Sequence, residues 1–504
     1  MPFIRPTCQC LMAIAVATSL LAACGNERES ATRVGIIGDT PPELIETIDA
    51  PLSAGDAQFR MDLAQGLVRF DPRGQVVPGL AERWNVSDDG LSYIFRLKSA
   101  EWPSGRRVKA DEVARVLSRQ LRAASKNTLK DTLGAVVDVV AMTDRVIELR
   151  LTAPRPYLLQ LLAQPEFGIV RNGVGTGPFE LADSEELTSE VSDGGQMPAN
   201  ARLISHRIVV PDAKDPVELV RVESGTAAKL VAAFVSRDID LVLGGTIADL
   251  PIAKAAKVPR GALRFDPVAG LFGLAPTSRS EIVADAEVRN LLSQAIDRQA
   301  LVATLAVDGL APRATLLQAG LEGVGQPPQP TWLTVPTIDR RPALIAEADR
   351  LFGDTERPRL RLFLPAGPGG DILLRRFNAD WAPLGISVER AITAESADMI
   401  WIDEVSPSAS PAWLLRKFRC GVAPICVEEA GPLLDSARTA PVPAQRAALL
   451  IEAARLMDEA HLFLPVAAPV RWSLVSGSVP GFAENGFARH TLVGLADSRF
   501  TEEY

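Results

Sequence analysis

The spacing of hydrophobic side chains divides the first part of the chain into strands and a helix. Residues Arg33 to Gly38 form an apolar first strand. Between Leu91 and Lys98 apolar side chains alternate with polar ones, as in a half-buried strand, and the alternation returns between Val146 and Leu151. A helix is expected between them, with Asp111 as its cap and with one apolar face; this face holds Val113, Val116, Leu117 and Leu121. These elements predict a mixed α+β unit over about 53–173.

The second half of the chain carries two strong helical patterns. Between Asp285 and Ala306 the apolar residues recur on one face, and Asp285 is the expected cap. A second amphipathic helix is predicted from Pro441 to His461. Leu360 to Leu364 predicts a short strand, and the Gly- and Pro-rich stretch from Gly320 to Pro336 predicts a loop. The whole chain is therefore expected to be α/β, of the mixed α+β kind.

A glycine-rich segment, Gly173 to Pro178, separates these two halves. The pattern predicts a tight turn where the chain crosses between structural units. The alternative is a loop that cradles a phosphate group. The spacing matches neither glycine-rich nucleotide motif and no lysine follows, so the sequence favours the turn.

The N-terminus has the pattern of an export signal. One charge, Arg5, precedes an apolar run from Leu11 to Ala23, which is shorter than the roughly 20 residues that span a bilayer. Its end, Leu21 to Cys24, resembles a bacterial lipobox, although an ordinary signal peptide with an incidental cysteine is the alternative. We expect a signal peptide over 1–23, lipidation of Cys24 and a tether over 24–32. These predict a periplasmic or cell-envelope protein that a lipid anchors to a membrane.

Composition excludes several classes of function. The chain of 504 residues is 47% hydrophobic and has a formal net charge of -9, whereas nucleic-acid-binding proteins normally carry a basic stripe. With only 3 histidines, the sequence offers little for a metal site or for histidine-based catalysis. We therefore expect no metal, no cofactor and no nucleic acid as a partner.

Two cysteines remain once the signal peptide and the lipidated residue are set aside. Cys420 and Cys426 form an even pair in an oxidising compartment, and Gly421 and Pro424 favour a turn between them. The sequence predicts a disulfide that closes a short loop. Two unpaired thiols are the alternative.

A series of short segments follows in order over most of the mature chain: Gly66–Asp71, Val77–Trp84, Ser87–Lys98, Trp102–Gly105, Ala110–Val113, Gly175–Phe179, Glu287–Arg289, Ala295–Arg298, Phe463–Val466 and Val479–Phe482. In order and spacing, the series resembles the large extracytoplasmic solute-binding proteins of the dipeptide/oligopeptide/nickel class, solute-binding protein family 5 of ABC transporters.

This resemblance implies a two-lobed fold of the periplasmic binding protein type II-like kind, with an extra inserted domain. Domain I would combine 33–52, 174–268 and 474–504, and domain II would be the insertion 53–173. Domain III would span 269–473. The lobes would close on a ligand by a hinge motion and bury it between them.

The resemblance also suggests where a ligand binds. In peptide-binding relatives, an aspartate just after a tryptophan in domain III holds the ammonium group of the peptide. The matching stretch here contains Trp401, Asp403 and Glu404. We expect Asp403 to have this role and Glu404 to be second, because the spacing differs by one residue from some relatives. Trp401 is expected to wall the site. The alternatives are that both acids end a strand in solvent and that Trp401 belongs to the core.

The expected function is that of a monomeric substrate-binding lipoprotein of an ABC importer, which captures a short peptide and delivers it to the permease subunits. The alternatives are a binder of a metal chelate or another non-peptide solute, and a sensor or folding factor on the same fold. An enzyme is not supported, since the sequence has no G-x-S-x-G or H-E-x-x-H motif.

Overall fold

The computed structural model describes residues 31–48, 50–182, 200–207, 217–353 and 355–495. Cys24 and the expected signal peptide lie outside these ranges. The described helices are Ala54–Asp62, Ala110–Leu121, Leu158–Leu162, Ala227–Val235, Leu250–Ala255, Glu281–Ala284, Ala286–Ala295, Arg298–Leu305, Thr337–Phe352, Pro368–Trp381, Ala412–Arg416, Ala430–Thr439 and Pro443–Glu459. Short 3₁₀ turns occur at Lys130–Leu133, Pro165–Phe167, Thr331–Thr334, Ala382–Leu384 and Ala394–Ser396.

The largest sheet has seven strands, which come from stretches far apart in the sequence. Thr32–Ile37 lies in its centre and pairs in parallel with Val217–Gly225 and Leu241–Gly245. The outer strands pair antiparallel; they are Glu180–Leu181 and Ala201–Arg207 on one side, and Trp472–Val475 and Leu263–Phe265 on the other. The chain thus leaves this sheet and returns to it twice.

A four-stranded antiparallel sheet fills the first excursion from the large sheet. Its strands, in spatial order, are Ala81–Val86, Ser92–Leu97, Val146–Leu151 and Val136–Thr143. The predicted alternation is confirmed, because Tyr93, Phe95 and Leu97 are all buried. A two-stranded pair, Val68–Phe70 with Val76–Pro78, precedes it. The insertion therefore has its own sheet, as a mixed α+β unit should.

A five-stranded mixed sheet fills the second excursion. Its spatial order is Ser387–Arg390, Arg359–Phe363, Met399–Val405, Gly270–Pro276 and Leu464–Pro465. The first three strands are parallel, and the last two pair antiparallel. The fold is mixed α/β, as the sequence predicts. The exact boundaries of the three domains stay a prediction; Trp472 and Ser473 already pair in the large sheet, just ahead of the expected return at 474.

Two helix predictions need correction. The pattern from Asp285 to Ala306 forms two helices, because the chain is extended at Ile296 and the Asp297 side chain accepts a hydrogen bond from the backbone N–H of Ala300 and starts a new helix. Asp285 does cap the first helix. The N-cap of the helix Ala110–Leu121 is Lys109, and Asp111 lies in its first turn instead.

The glycine-rich turn presses the chain against the end of the helix Ala54–Asp62. The N–H of Gly177 donates to the carbonyl of Leu63, and the N–H of Phe179 donates to that of Asp62. A Cβ atom at Gly175 would lie 2.2 Å from the oxygen of Leu63, so no larger residue fits. This close approach explains Gly175, and Gly177 is equally confined because its Cβ would lie 2.1 Å from the oxygen of Asp62.

Two further sequence predictions concern covalent and membrane features. Cys420 and Cys426 form a disulfide, which confirms the predicted pairing. Among the described residues, no helix is both long and apolar enough to cross a membrane.

Candidate functional site

A cavity of about 400 Å³ lies between the large sheet, the five-stranded sheet and the segments 128–129 and 164–166 of the insertion. This volume falls within the range of roughly 300–1,000 Å³ that ligand sites occupy. The large sheet contributes Ile36, Leu243 and Thr246, and the insertion contributes Leu129 and Glu166. The end of the strand Met399–Val405 and the segment after it close the cavity. The cavity is therefore bordered by residues from segments that lie far apart in the sequence.

Asp403 lines this cavity, but its charge is already paired. Its Oδ1 lies 2.6 Å from Nη1 of Arg471, and Nη2 of Arg471 donates to the backbone carbonyl of Asp403 at 3.0 Å. The side chains of Asp403 and Arg471 keep 13% and 16% of their exposure. Burial raises the pKa of Asp403, and Arg471 acts against that rise. A direct contact between Asp403 and a ligand stays a prediction. Any such contact would involve a carboxylate whose charge Arg471 largely neutralises.

Glu404 also lines the cavity and also has a cationic partner. Nζ of Lys417 donates to its Oε2 at 2.6 Å, with the two side chains 36% and 44% exposed. The ammonium of Lys417 lies 5.0 Å from the ring centroid of Trp413, which gives the lysine a second favourable contact. Successive residues of a strand point to opposite faces. Both acids nevertheless border the cavity, which lies at the end of the strand Met399–Val405.

Trp401 lies in the hydrophobic core and is not among the residues that line the cavity. Its ring packs edge-on against Phe272 with a centroid distance of 4.7 Å, and 6.1 Å from the ring of Phe377. Its indole Nε1 is buried and has no hydrogen-bond partner. The expectation that Trp401 walls the site gains no support from this position, and the alternative of a core residue describes it better.

Glu166 is the acidic residue that sequence reasoning missed. It lies in the 3₁₀ turn Pro165–Phe167, is 92% buried and lines the cavity. Its Oε2 is buried without any hydrogen-bond partner. The nearest cation is Arg489, whose Nη2 is 3.9 Å from Oε1, beyond hydrogen-bond distance. Of the three cavity acids, Glu166 has the least compensated carboxylate.

A buried arginine fixes the turn that carries Glu166. Nε and Nη2 of Arg60 donate to the carbonyls of Pro165 and Gly168, each at 2.8 Å. Burial lowers the pKa of Arg60 to about 10, and the charge of Glu166 acts against this fall. Arg60 is fully buried, so it holds the backbone on both sides of Glu166 without reaching solvent. The position of Glu166 is thus set by the fold.

Polar bridges join the insertion to the opposite wall of the cavity. The amide Nε2 of Gln164 donates to the carbonyl of Pro407 at 2.8 Å. Its Oε1 accepts from Nε of Arg489 at 3.3 Å. Gln164 therefore contacts both the segment after Glu404 and the C-terminal segment. These bonds connect three segments that border the cavity.

The cavity is balanced in charge and polar on several sides. Its ionisable lining residues include acids and bases in equal number, namely Asp403, Glu404, Glu166, Arg471, Lys417 and Arg489. His490 also lines it and contacts Asp266 at 3.1 Å. Among the described ranges, no group of three or more His, Cys, Asp or Glu residues is arranged to hold a metal ion. A cavity with balanced charge suits a ligand that carries charges of both signs.

Comparisons with known proteins agree with this architecture. The probable di/tripeptide-binding protein 5 of Pseudomonas aeruginosa is 24% identical, over 87% of this chain and 90% of its own length. Heme-binding protein A of Haemophilus influenzae is 23% identical over 84% of each chain. The structure of the Escherichia coli murein tripeptide binding protein MppA superimposes with a TM-score of 0.77 and 17% identity, over 92% of this chain and 97% of that one.

The structural likeness places the fold among the two-lobed periplasmic binding proteins. The model of the family described as "Bacterial extracellular solute-binding proteins, family 5 Middle" matches residues 75–401. These residues include most of the insertion, much of the large sheet and most of the five-stranded sheet. The chain belongs to the family 5 bacterial extracellular solute-binding proteins of ABC transporters.

Proposed function

We propose that this protein captures a short peptide in the cavity between its lobes and delivers it to the permease of an ABC importer. The observation that carries the proposal is a cavity with balanced charge, in which one lining carboxylate, that of Glu166, has no cation within hydrogen-bond distance. A cavity near 400 Å³ lies in the lower part of the range of ligand sites, which favours a short peptide over a long one. The named di/tripeptide-binding relative supports the same ligand class.

The proposal assigns the ammonium group of the peptide to Glu166. A buried ammonium without a carboxylate partner is costly, so the site must supply one. Asp403 and Glu404 already bind Arg471 and Lys417 at 2.6 Å, whereas the cation paired with Glu166 is Arg489, whose Nη2 is 3.9 Å from Oε1. An ammonium beside this carboxylate would gain a charge-assisted hydrogen bond without first breaking a hydrogen-bonded ion pair.

Binding is tested by calorimetric titration with a pool of alanine di- and tripeptides. The same pool with acetylated amino termini serves as the second probe, because acetylation removes the ammonium charge. The wild-type protein should bind the free peptides and should reject the acetylated ones. If it binds neither pool, the peptide-capture proposal fails.

The role of Glu166 is tested in the same assay. Glu166→Gln should weaken binding of the free peptides at least tenfold, about 1.4 kcal/mol. Glu404→Gln is the matched control, because it makes the same chemical change in the same cavity to an acid that Lys417 already pairs. Wild-type affinity in Glu166→Gln would contradict the assignment while leaving peptide capture intact.

A non-peptide solute is the second candidate. Heme-binding protein A, a relative of comparable identity and coverage, is named for a non-peptide ligand. In that case a ligand without an ammonium group should bind the wild-type protein, and acetylation of peptides should be irrelevant. In both cases we propose binding without catalysis, in keeping with a family of solute-binding proteins.

The proposal also includes lipid anchoring through Cys24 and action as a monomer. Cys24→Ser should release the protein from the membrane fraction of its own cells, because the acylated thiol would be lost. Cys420→Ser, which leaves Cys24 intact, should remain in that fraction. Membrane association of Cys24→Ser would contradict the lipid anchor. Failure of the anchor proposal would leave the proposal about the cavity untouched.

A further inference from the structure

A second, smaller crevice lies on the other side of Trp413 from the ligand cavity. Its volume is about 40 Å³, which exceeds the 10–15 Å³ or so that a single water molecule needs. Trp413 lines both the crevice and the cavity. Apolar side chains form part of the crevice wall, among them Leu161 and Leu434. The space is therefore semi-enclosed and large enough for a small polyatomic ligand.

Four arginines line this crevice, and we call them the arginine cluster: Arg155, Arg416, Arg438 and Arg446. One of them is paired, because Nη2 of Arg446 donates to both carboxylate oxygens of Glu322 at 3.0 and 2.8 Å. No carboxylate of the described residues lies within ion-pair distance of the other three guanidinium groups, whereas the neighbouring Arg419 has Asp435 at 3.0 Å. The crevice thus carries an excess of positive charge.

Backbone carbonyls hold two of the three unpaired arginines in place. Arg155 donates to the carbonyl of Pro154 at 2.9 Å and to that of Arg438. Arg416 donates to the carbonyl of Asp131 at 2.6 Å. Carbonyls satisfy individual N–H groups but supply no net negative charge. The guanidinium groups of Arg155 and Arg416 are therefore held in place without a carboxylate at ion-pair distance.

Burial and mutual repulsion act on these guanidinium groups. The pKa of Arg155 falls to about 10, through burial first and then through the charges of Arg446, Arg416 and Arg438. Burial and the charge of Arg438 likewise lower the pKa of Arg416. The charge of Glu322 acts against the fall for Arg155, and the charges of Asp131 and Asp435 act against it for Arg416. The repulsion among the arginines is thus partly offset, and a bound anion would reduce it further.

We propose that the arginine cluster is a binding site for a small oxyanion, either phosphate-like or a carboxylate. Guanidinium groups bind such anions through paired N–H donors. The hydroxyl group of Ser410 also lines the crevice and offers a further donor, whereas Thr132 already donates to the carbonyl of Leu129 and Tyr157 bonds to Glu322. The site is separate from the ligand cavity and does not depend on what that cavity binds.

The site joins two parts of the chain that form opposite walls of the ligand cavity. Arg155 and Tyr157 belong to the insertion, whereas Arg416 and Arg438 belong to helices that follow the five-stranded sheet's strand Met399–Val405. An anion between them would hold the insertion against these helices. The bound anion should therefore stabilise the contact between the two walls.

The test is a calorimetric titration of the mature protein with inorganic phosphate in a buffer free of other oxyanions. Sodium chloride at equal ionic strength controls for general screening. Saturable binding of phosphate beyond the chloride response is expected. The titration is repeated with acetate and with citrate. Tighter binding of either carboxylate than of phosphate would identify the ligand of the site as a carboxylate.

Two variants locate the binding in the crevice. Arg416→Gln and the exposed Arg438→Gln should each weaken anion binding by about tenfold, or 1.4 kcal/mol. Arg455→Gln is the control, because Arg455 lies on the same helix as Arg446 but pairs with Glu452 and Glu459. Equal responses to phosphate and chloride, or unchanged affinity in both cluster variants, would overturn the proposal. Circular dichroism confirms that each variant is folded.

Discussion

The ion pair between Asp403 and Arg471 borders a ligand cavity, and we expect it to stabilise the folded protein. The change Asp403→Asn keeps the shape of the side chain and removes its charge. Breaking a buried pair on one side costs about 3–5 kcal/mol, because the other charge is left buried. Arg471 retains two carbonyl bonds, to Val470 at 2.9 Å and to Asp403 at 3.0 Å, and it borders a cavity. We therefore expect a loss near the lower limit, about 3 kcal/mol.

The assay is urea unfolding of the wild type, Asp403→Asn, Arg471→Gln and the double variant. The double variant should lose less than the sum of the single losses, because each single change leaves one unpaired charge. Glu404→Gln is the matched control, since its pair with Lys417 is 36% and 44% exposed and should contribute at most about 1 kcal/mol. If Asp403→Asn costs no more than Glu404→Gln, the reasoning from burial is wrong.

Three further predictions concern stability. Replacing Cys420 and Cys426 by serine should lower the free energy of unfolding by about 2 kcal/mol, since the closed loop is short; a loss well above this in urea titrations would point to a wider role. Gly245→Ala should lower the free energy of unfolding by about 1–3 kcal/mol, because the new Cβ would lie 2.2 Å from a buried tryptophan ring. Gly431→Ala is the control, since its Cβ would meet no atom within 4 Å. Equal melting temperatures of the two variants would contradict this prediction. Burial raises the pKa of Asp458 from 3.8 to about 7, so its contribution to stability is complete below pH 3.8 and is lost as the pH rises through 7. Asp458→Asn should flatten the fall in stability over this range, and an unchanged slope would refute that assignment.

Local patterns predicted much of the fold. The alternation that ends in Leu97 specified a strand because burial follows the same period of two, and the disulfide followed from an even pair of cysteines in an oxidising space. The break at Ile296 was not predictable from hydrophobicity, since the apolar spacing continues across it. There a polar cap at Asp297 decides where the second helix begins.

The site was harder to predict, because its electrostatics depend on residues that are distant in sequence. Asp403 is 68 residues from Arg471, its ion-pair partner, and no local motif signals the pair. Glu166 lies in a short 3₁₀ turn without a recognisable pattern, and its position depends on Arg60. The resemblance pointed to a strand end that borders the cavity, and only the fold showed which acids on it already have partners.

Native mass spectrometry of the protein, purified from its own cell envelope, tests the central claim that the cavity encloses a short peptide. We expect bound masses that form a series of di- and tripeptides and that disappear when the protein is denatured. A single non-peptide species bound in their place would contradict the account.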